Sequence, residues 1–188
     1  MKFSKKTAFI SILSIILVFG AVVFFFNTDK DSKQKKSYKI EIPEKQAEGK
    51  EIFLYFTNLE NSALEAEKQK IIFNSDTRKF AQSIIEALLK GPANNSLMSA
   101  IPEGTKLLSL YIQDNLIAVL DFSEEIRENH PGGSQAEILT IYSIVNTLTL
   151  NIEEVKEVKI LINGNEAETL AGHIALSFPL KENLTIVK

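Results

Sequence analysis

The chain contains no cysteine. That absence removes disulfides, thiol nucleophiles, cysteine-held metal sites and a lipid-accepting N-terminal cysteine. Histidine is almost as scarce. His130 and His173 stand alone, and neither has an acidic cluster beside it at ligand spacing, so no metal or other cofactor is expected. Glycine and proline number only 8 and 5 in 188 residues, and no stretch combines several glycines with a lysine into a phosphate cradle. Glu124, Glu125 and Glu128 lack the Asp-rich, glycine-containing loop of a calcium site and read as a solvated face. Positive charge is also short where it would matter. Lys2, Lys5 and Lys6 precede residue 26 with no acid among them, which leaves 18 basic against 24 acidic side chains, net −6, over residues 27–188. A body without a Lys/Arg cluster is not expected to bind nucleic acid.

What the sequence does have is asymmetry. Residues 8–26, "AFISILSIILVFGAVVFFF", form a 19-residue apolar run interrupted only by Ser11, Ser14 and Gly20. As a helix the run reaches about 28 Å, close to the ~30 Å hydrocarbon core, so it reads as a single transmembrane anchor behind a basic tail, residues 1–7. Cleavage after Gly20 would leave an apolar terminus, Val22 to Phe26, so an uncleaved anchor is expected. Charge does not settle its orientation. Three lysines precede the run and five follow it, Lys30, Lys33, Lys35, Lys36 and Lys39, which alone favours a cytoplasmic C-terminus. Residues 27–50 are charge-mixed and poor in apolar side chains, the composition of a solvated linker.

From Glu51 onward the pattern is that of a folded domain, with 45% hydrophobic and 24% charged residues across the chain, near globular averages. "EIFLYFTN" reads as an inner strand, and "QKIIFN" allows a second short one. Phe80, Ile84, Ala87 and Leu88 repeat at helical spacing between a capping Asp76 and a Gly91-Pro92 stop. Pro102 and Gly104 turn the chain into a hairpin whose tip is placed at Asp114-Asn115. Ser134 and Glu137 have the spacing of a capping box ahead of "ILTIYSIVNTLT", a helix by its stripe of Ile138, Ile141, Tyr142, Val145 and Leu148. Asn163-Gly164 then marks a last hairpin. The expected class is α+β, a two-layer sandwich in the order β-α-β-β-α-β-β, with a mixed or antiparallel sheet and two helices on one face.

Asp121, Ser123 and His130 are the only conceivable catalytic triad, but they crowd within ten residues and no Gly-x-Ser-x-Gly elbow surrounds Ser123. Asp121 and Ser123 read more simply as strand-ending residues that satisfy turn amides. One feature is unusual. From Ile138 to Ile152 there is no charge, so the outer stripe of that helix is Thr140, Ser143, Asn146, Thr147 and Thr149. Exposed helix faces normally carry Lys and Glu. The stripe is therefore expected to be covered, either by a partner or second copy, or by the C-terminal tail "SFPLKENLTIVK".

In order, the blocks "EALLKGP", "IPEGTKLLSL", "LIAVLDFS", "ILTIYSIVNTLT" and "VKEVKILINGN" resemble those of the GerMN-domain family of sporulation and germination proteins, over about residues 52–179. Gly91, Pro92, Pro102, Gly104, Asp121, Ser123, Ser134 and Gly164 carry the signature, mainly as structural residues. The resemblance implies an α+β fold akin to the ring-building modules of secretion and sporulation channels. It also implies an extracytoplasmic, membrane-tethered location, no enzymatic activity and protein partners in the cell envelope. A single such domain, residues 51–188, held outside the membrane by residues 8–26 is the resulting expectation, with no small-molecule substrate. The competing expectation is a binding protein or hydrolase for cell-wall material, using Asp121 and Ser123.

Overall fold

A computed structural model of the chain describes residues 49–188. The expected anchor, the basic tail and all but the last two residues of the expected linker lie outside these residues. Among the described residues no helix is long and apolar enough to cross a membrane.

The first strand, β1 (Gly49–Asn58), begins two residues inside the span read as linker. It buries Ile52, Leu54 and Phe56 on one face and pairs along nearly its whole length with antiparallel β2 (Leu64–Ile72). The short strand expected at "QKIIFN" overlaps only the last residues of β2. Its solvent-facing positions carry Ala66, Lys68 and Lys70 and its half-buried ones Glu65, Glu67 and Gln69, so no apolar alternation announces it. Its strand character comes from register with β1, a tertiary effect. Helix α1 (Thr77–Lys90) follows as expected: the Asp76 carboxylate accepts from Lys79 N at 3.1 Å, and Phe80, Ala81, Ile84, Ile85 and Leu88 form its buried stripe.

After the short β3 (Leu97–Met98), β4 (Leu107–Ile112) and β5 (Ile117–Phe122) form the antiparallel hairpin. The left-handed residue at its tip is Leu116, with φ 66°, instead of Asp114 or Asn115. A single turn of helix, α2 (Glu125–Glu128), and the long α3 (Ser134–Thr149) return the chain to β6 (Glu157–Ile162), which pairs parallel to β5. Asn163 and Gly164, both at positive φ, then turn into β7 (Asn165–Glu166) as their dipeptide predicts.

The class is α+β, but the strands form two sheets where one was expected, β2-β1-β3 and β4-β5-β6-β7. Helices α1 and α3 pack on each other and on β4 and β6 respectively, which puts both on one face of the second sheet. Both also touch β1. The main core lies between these layers, where Phe56, Leu88, Leu120, Phe122, Ile144 and Ile160 belong to one cluster. A smaller cluster joins Tyr55, Leu64 and Leu139.

Candidate functional site

The end of β5 holds the residues that chemistry would need first. The Asp121 carboxylate accepts the amide of Gly164 at 2.8 Å, which ties β5 to the β6–β7 turn. Ser123, nearly buried, accepts Lys106 N at 2.9 Å through its hydroxyl, while its own amide donates to Lys106 O. His130 is engaged elsewhere. Its Nδ1 accepts Gly132 N at 3.0 Å, so Nε2 carries the hydrogen and donates to Thr140 Oγ1 at 3.2 Å; that hydroxyl donates onward to Ala100 O at 2.6 Å. Burial lowers the His130 pKa against the pull of the Glu137 carboxylate, and this relay suits the neutral ring. The three residues hold three different turns.

The charge-free stripe of α3 is covered from within the chain. Thr140, Ser143, Asn146 and Thr147 are all buried, and their polar groups meet backbone. Ser143 Oγ donates to Tyr55 O at 2.6 Å and Thr147 Oγ1 accepts Tyr55 N at 3.1 Å. One turn further on, Asn151 accepts Phe53 N at 2.9 Å and donates to Phe53 O at 2.7 Å. Strand β1 pairs with β3 only at Thr57 and Asn58, so α3 supplies with side chains the partners a neighbouring strand would have given. Asn146 makes the same two-bond ring with Asn183 N and O, both at 2.9 Å. Thr149, half-buried, bonds back to Val145 O at 2.8 Å. Thr140, Ser143, Asn146 and Thr147 therefore offer no open surface to a partner, and only Thr149, at the end of the helix, stays partly exposed. The covering is β1 over Ser143 and Thr147, the C-terminal tail over Asn146, and His130 with the Ala100 carbonyl over Thr140.

Glu137 differs from the sequence expectation. Gly133, not Ser134, is the N-cap of α3, and no side chain caps it. The fully buried Glu137 carboxylate instead accepts Leu170 N at 3.0 Å, Ala171 N at 2.8 Å, His173 N at 2.8 Å and His173 Nδ1 at 3.0 Å. Burial raises its pKa, but this hydrogen-bond cage outweighs burial and leaves the group below the ordinary carboxylate value. A glutamate at the start of an apolar helix was the signal; its partner segment lay too far along the chain to be foreseen. The remaining signature residues sit in turns. Gly91, at φ 91°, ends α1 with its amide on Leu88 O, and Pro92 follows it. Pro102 O accepts the hydroxyl of Thr105 at 2.7 Å across Gly104, itself at φ 85°.

Three surface features remain open. Strand β4 ends its sheet, and a bulge between Leu107 and Ser109 leaves Leu108 49% exposed, with Tyr111 45% exposed further along. A recess of about 420 Å³ lies where β1, the start of α1 and the exit of α3 meet, and a smaller one of about 220 Å³ borders Thr140. Among the described residues no group of three His, Asp or Glu side chains is placed to hold a metal ion.

Residues 53–168 match a family model described as "Germane: Sporulation and spore germination". Among solved structures the chain is similar to a Clostridium perfringens candidate lipoprotein, at 28% identity and TM-score 0.51, over 71% of this chain and 88% of that one. It is also similar to the first GerMN domain of the sporulation protein GerM from Bacillus subtilis, at 22% identity and TM-score 0.56, over 71% and 96%. Against the tandem GerMN domains of that protein the identity is 18% and the TM-score 0.52, over 72% and 46% of the two chains. No curated protein matches significantly.

Proposed function

Starting from the premise that the chain belongs to the Germane family of sporulation and spore-germination domains, we propose that it is a membrane-held module outside the cytoplasm that binds protein partners in the cell envelope and performs no chemistry of its own. The carrying observation is the β4 edge. An edge strand presents unpaired amides and carbonyls along its length, and here it also exposes Leu108 and Tyr111. By contrast, the edge of β2 carries Lys68 and Lys70 along its middle and is partly covered at Leu64 by the C-terminal tail, which leaves Ile72 as its exposed apolar end. The engagement of Asp121, Ser123 and His130 in turns supports the absence of chemistry. Residues 8–26 are the tether in this reading, and the similarity to a candidate lipoprotein supports a domain held at a membrane surface.

Site-specific photocrosslinkers in the full chain test the contact. Placed at Leu108 or Tyr111 they capture a discrete envelope protein in intact cells; placed at Lys70 they capture none. Equal yields at all three positions, or none at any, would remove the β4 edge from the account. A periplasmic-type reporter fused after Lys188 should be active, and activity of a cytosolic reporter there would reverse the location.

A further inference from the structure

The larger recess carries one positive and two negative side chains that form no ion pair with each other. Lys50, at the start of β1, holds its ammonium 5.9 Å from the centroid of the Phe73 ring and 5.3 Å from that of Phe80. The two rings meet edge to face with centroids 5.3 Å apart and give that side an aromatic floor. Glu153 and Glu154, both exposed, line the same recess from the segment leaving α3. The last turn of α3 has no basic residue to balance them. Among the described residues no ion pair joins either carboxylate to Lys50. The space between, about 420 Å³, falls in the range of small-ligand sites.

A simple anion attracted by Lys50 would be repelled by two carboxylates, and a simple cation would meet the reverse. A ligand with an ammonium at one end and an anionic oxygen group at the other satisfies both sides. Its apolar middle would lie against Phe73, whose ring is half-exposed above the buried Phe80. The geometry points to a binding site for a small zwitterion, an amino acid or short peptide with both ends charged. This site is independent of the β4 edge and of the contact role.

Titrating the full chain, labelled with 15N at phenylalanine, with alanyl-alanine tests it. Saturable shifts of the Phe73 and Phe80 amides are expected at millimolar concentrations. N-acetyl-alanyl-alaninamide, which lacks both charges, should leave them unmoved. Exposed charges of this kind contribute about 0.5–1 kcal/mol each, so Lys50→Met should weaken binding roughly 2- to 5-fold, and Glu153→Gln with Glu154→Gln by at least as much. All these positions are exposed, and unchanged melting of the variants would show that the fold is intact. Equal binding of the capped peptide, or no saturation by the free one up to tens of millimolar, overturns the site.

Discussion

A leucine in the left-handed region has a cost that the turn around it must absorb. Leu116, at φ 66°, closes the β4–β5 hairpin, with its amide on Gln113 O and its carbonyl accepting Lys156 N at 2.8 Å. Its side chain is 41% exposed, so little packing compensates. Leu116→Gly should therefore raise stability by about 0.5–1 kcal/mol in denaturant titration, despite the freer unfolded chain. A loss would mean that the leucine packs better than its exposure suggests. Glu137 has the opposite balance. Glutamine there sets an amide N–H₂ against the donors of His173, and the expected loss is about 2 kcal/mol or more. The acid response follows from the two shifts. The folded His130 resists protonation, so the unfolded chain takes up its proton first, near the ordinary value of about 6.5, and stability falls as pH drops below that point. The carboxylate of Glu137, depressed in the fold, contributes above its ordinary value near 4.5 and loses that contribution as pH falls through the folded value. His130→Gln should flatten the first window and leave the second. A wild-type profile flat between pH 7 and 5 would contradict the reading of the relay.

At the scale of elements, α3 is best understood as the missing neighbour of β1. Ser143, Thr147 and Asn151 lie four residues apart on one stripe, and the backbone groups they satisfy, on Tyr55 and Phe53, point to the same edge of the strand. A lysine at Ser143 or Thr147 would be buried beside backbone that has no charge to offer it, which accounts for the lack of charge there. Thr147→Val keeps the volume and removes the acceptor. Tyr55 N should then exchange its hydrogen faster by roughly tenfold or more, for an expected cost of about 1–3 kcal/mol, while Phe53 N, held by Asn151, stays protected. Equal loosening of both amides would show that α3 covers the edge by packing alone. The same helix marks where sequence reasoning reached and where it stopped. The pattern of Ile138, Ile141, Val145 and Leu148 gave the helix, and the uncharged stripe showed that something covers it. The identity of the cover was hidden, because β1 lies some ninety residues earlier and a row of polar side chains does not say which backbone it will meet. Strand β2 was obscured because charged residues occupy both of its faces, Glu65 and Glu67 on one and Lys68 and Lys70 on the other. The Asn163-Gly164 turn and the α1 caps were legible because their determinants are adjacent in sequence.

Across the whole domain, the C-terminal tail works as a strap. It leaves the second sheet at Leu180, whose N and O both pair with Val158 at 2.8 Å. It crosses α3 at Asn183, gripped by Asn146, and reaches the first sheet, where Val187 bridges Leu64 and Lys188 N donates to Leu64 O at 2.9 Å. Ile186 and Val187 pack on the Tyr55–Leu64–Leu139 cluster. The strap lies beyond residue 168, where the family match ends, and so does the loop that Glu137 holds. Removing residues 183–188 takes away both bonds to Asn146, the bond to Leu64 and part of the cover of that cluster. With about 1 kcal/mol for each hydrogen bond and about 1–2 kcal/mol for the apolar contact, the domain should lose roughly 4–5 kcal/mol. The loss should not be uniform. Hydrogen exchange should accelerate most in β1 and β2, which the strap holds down at Leu64, while β5 and β6 keep their parallel pairing and their protection. The Leu180 pair lies upstream of the cut and serves as the internal control. If β5 and β6 loosened as much as β1 and β2, the two sheets would have to unfold as one unit, and the tail would be stabilising the domain as a whole instead of fastening one sheet to the helix layer.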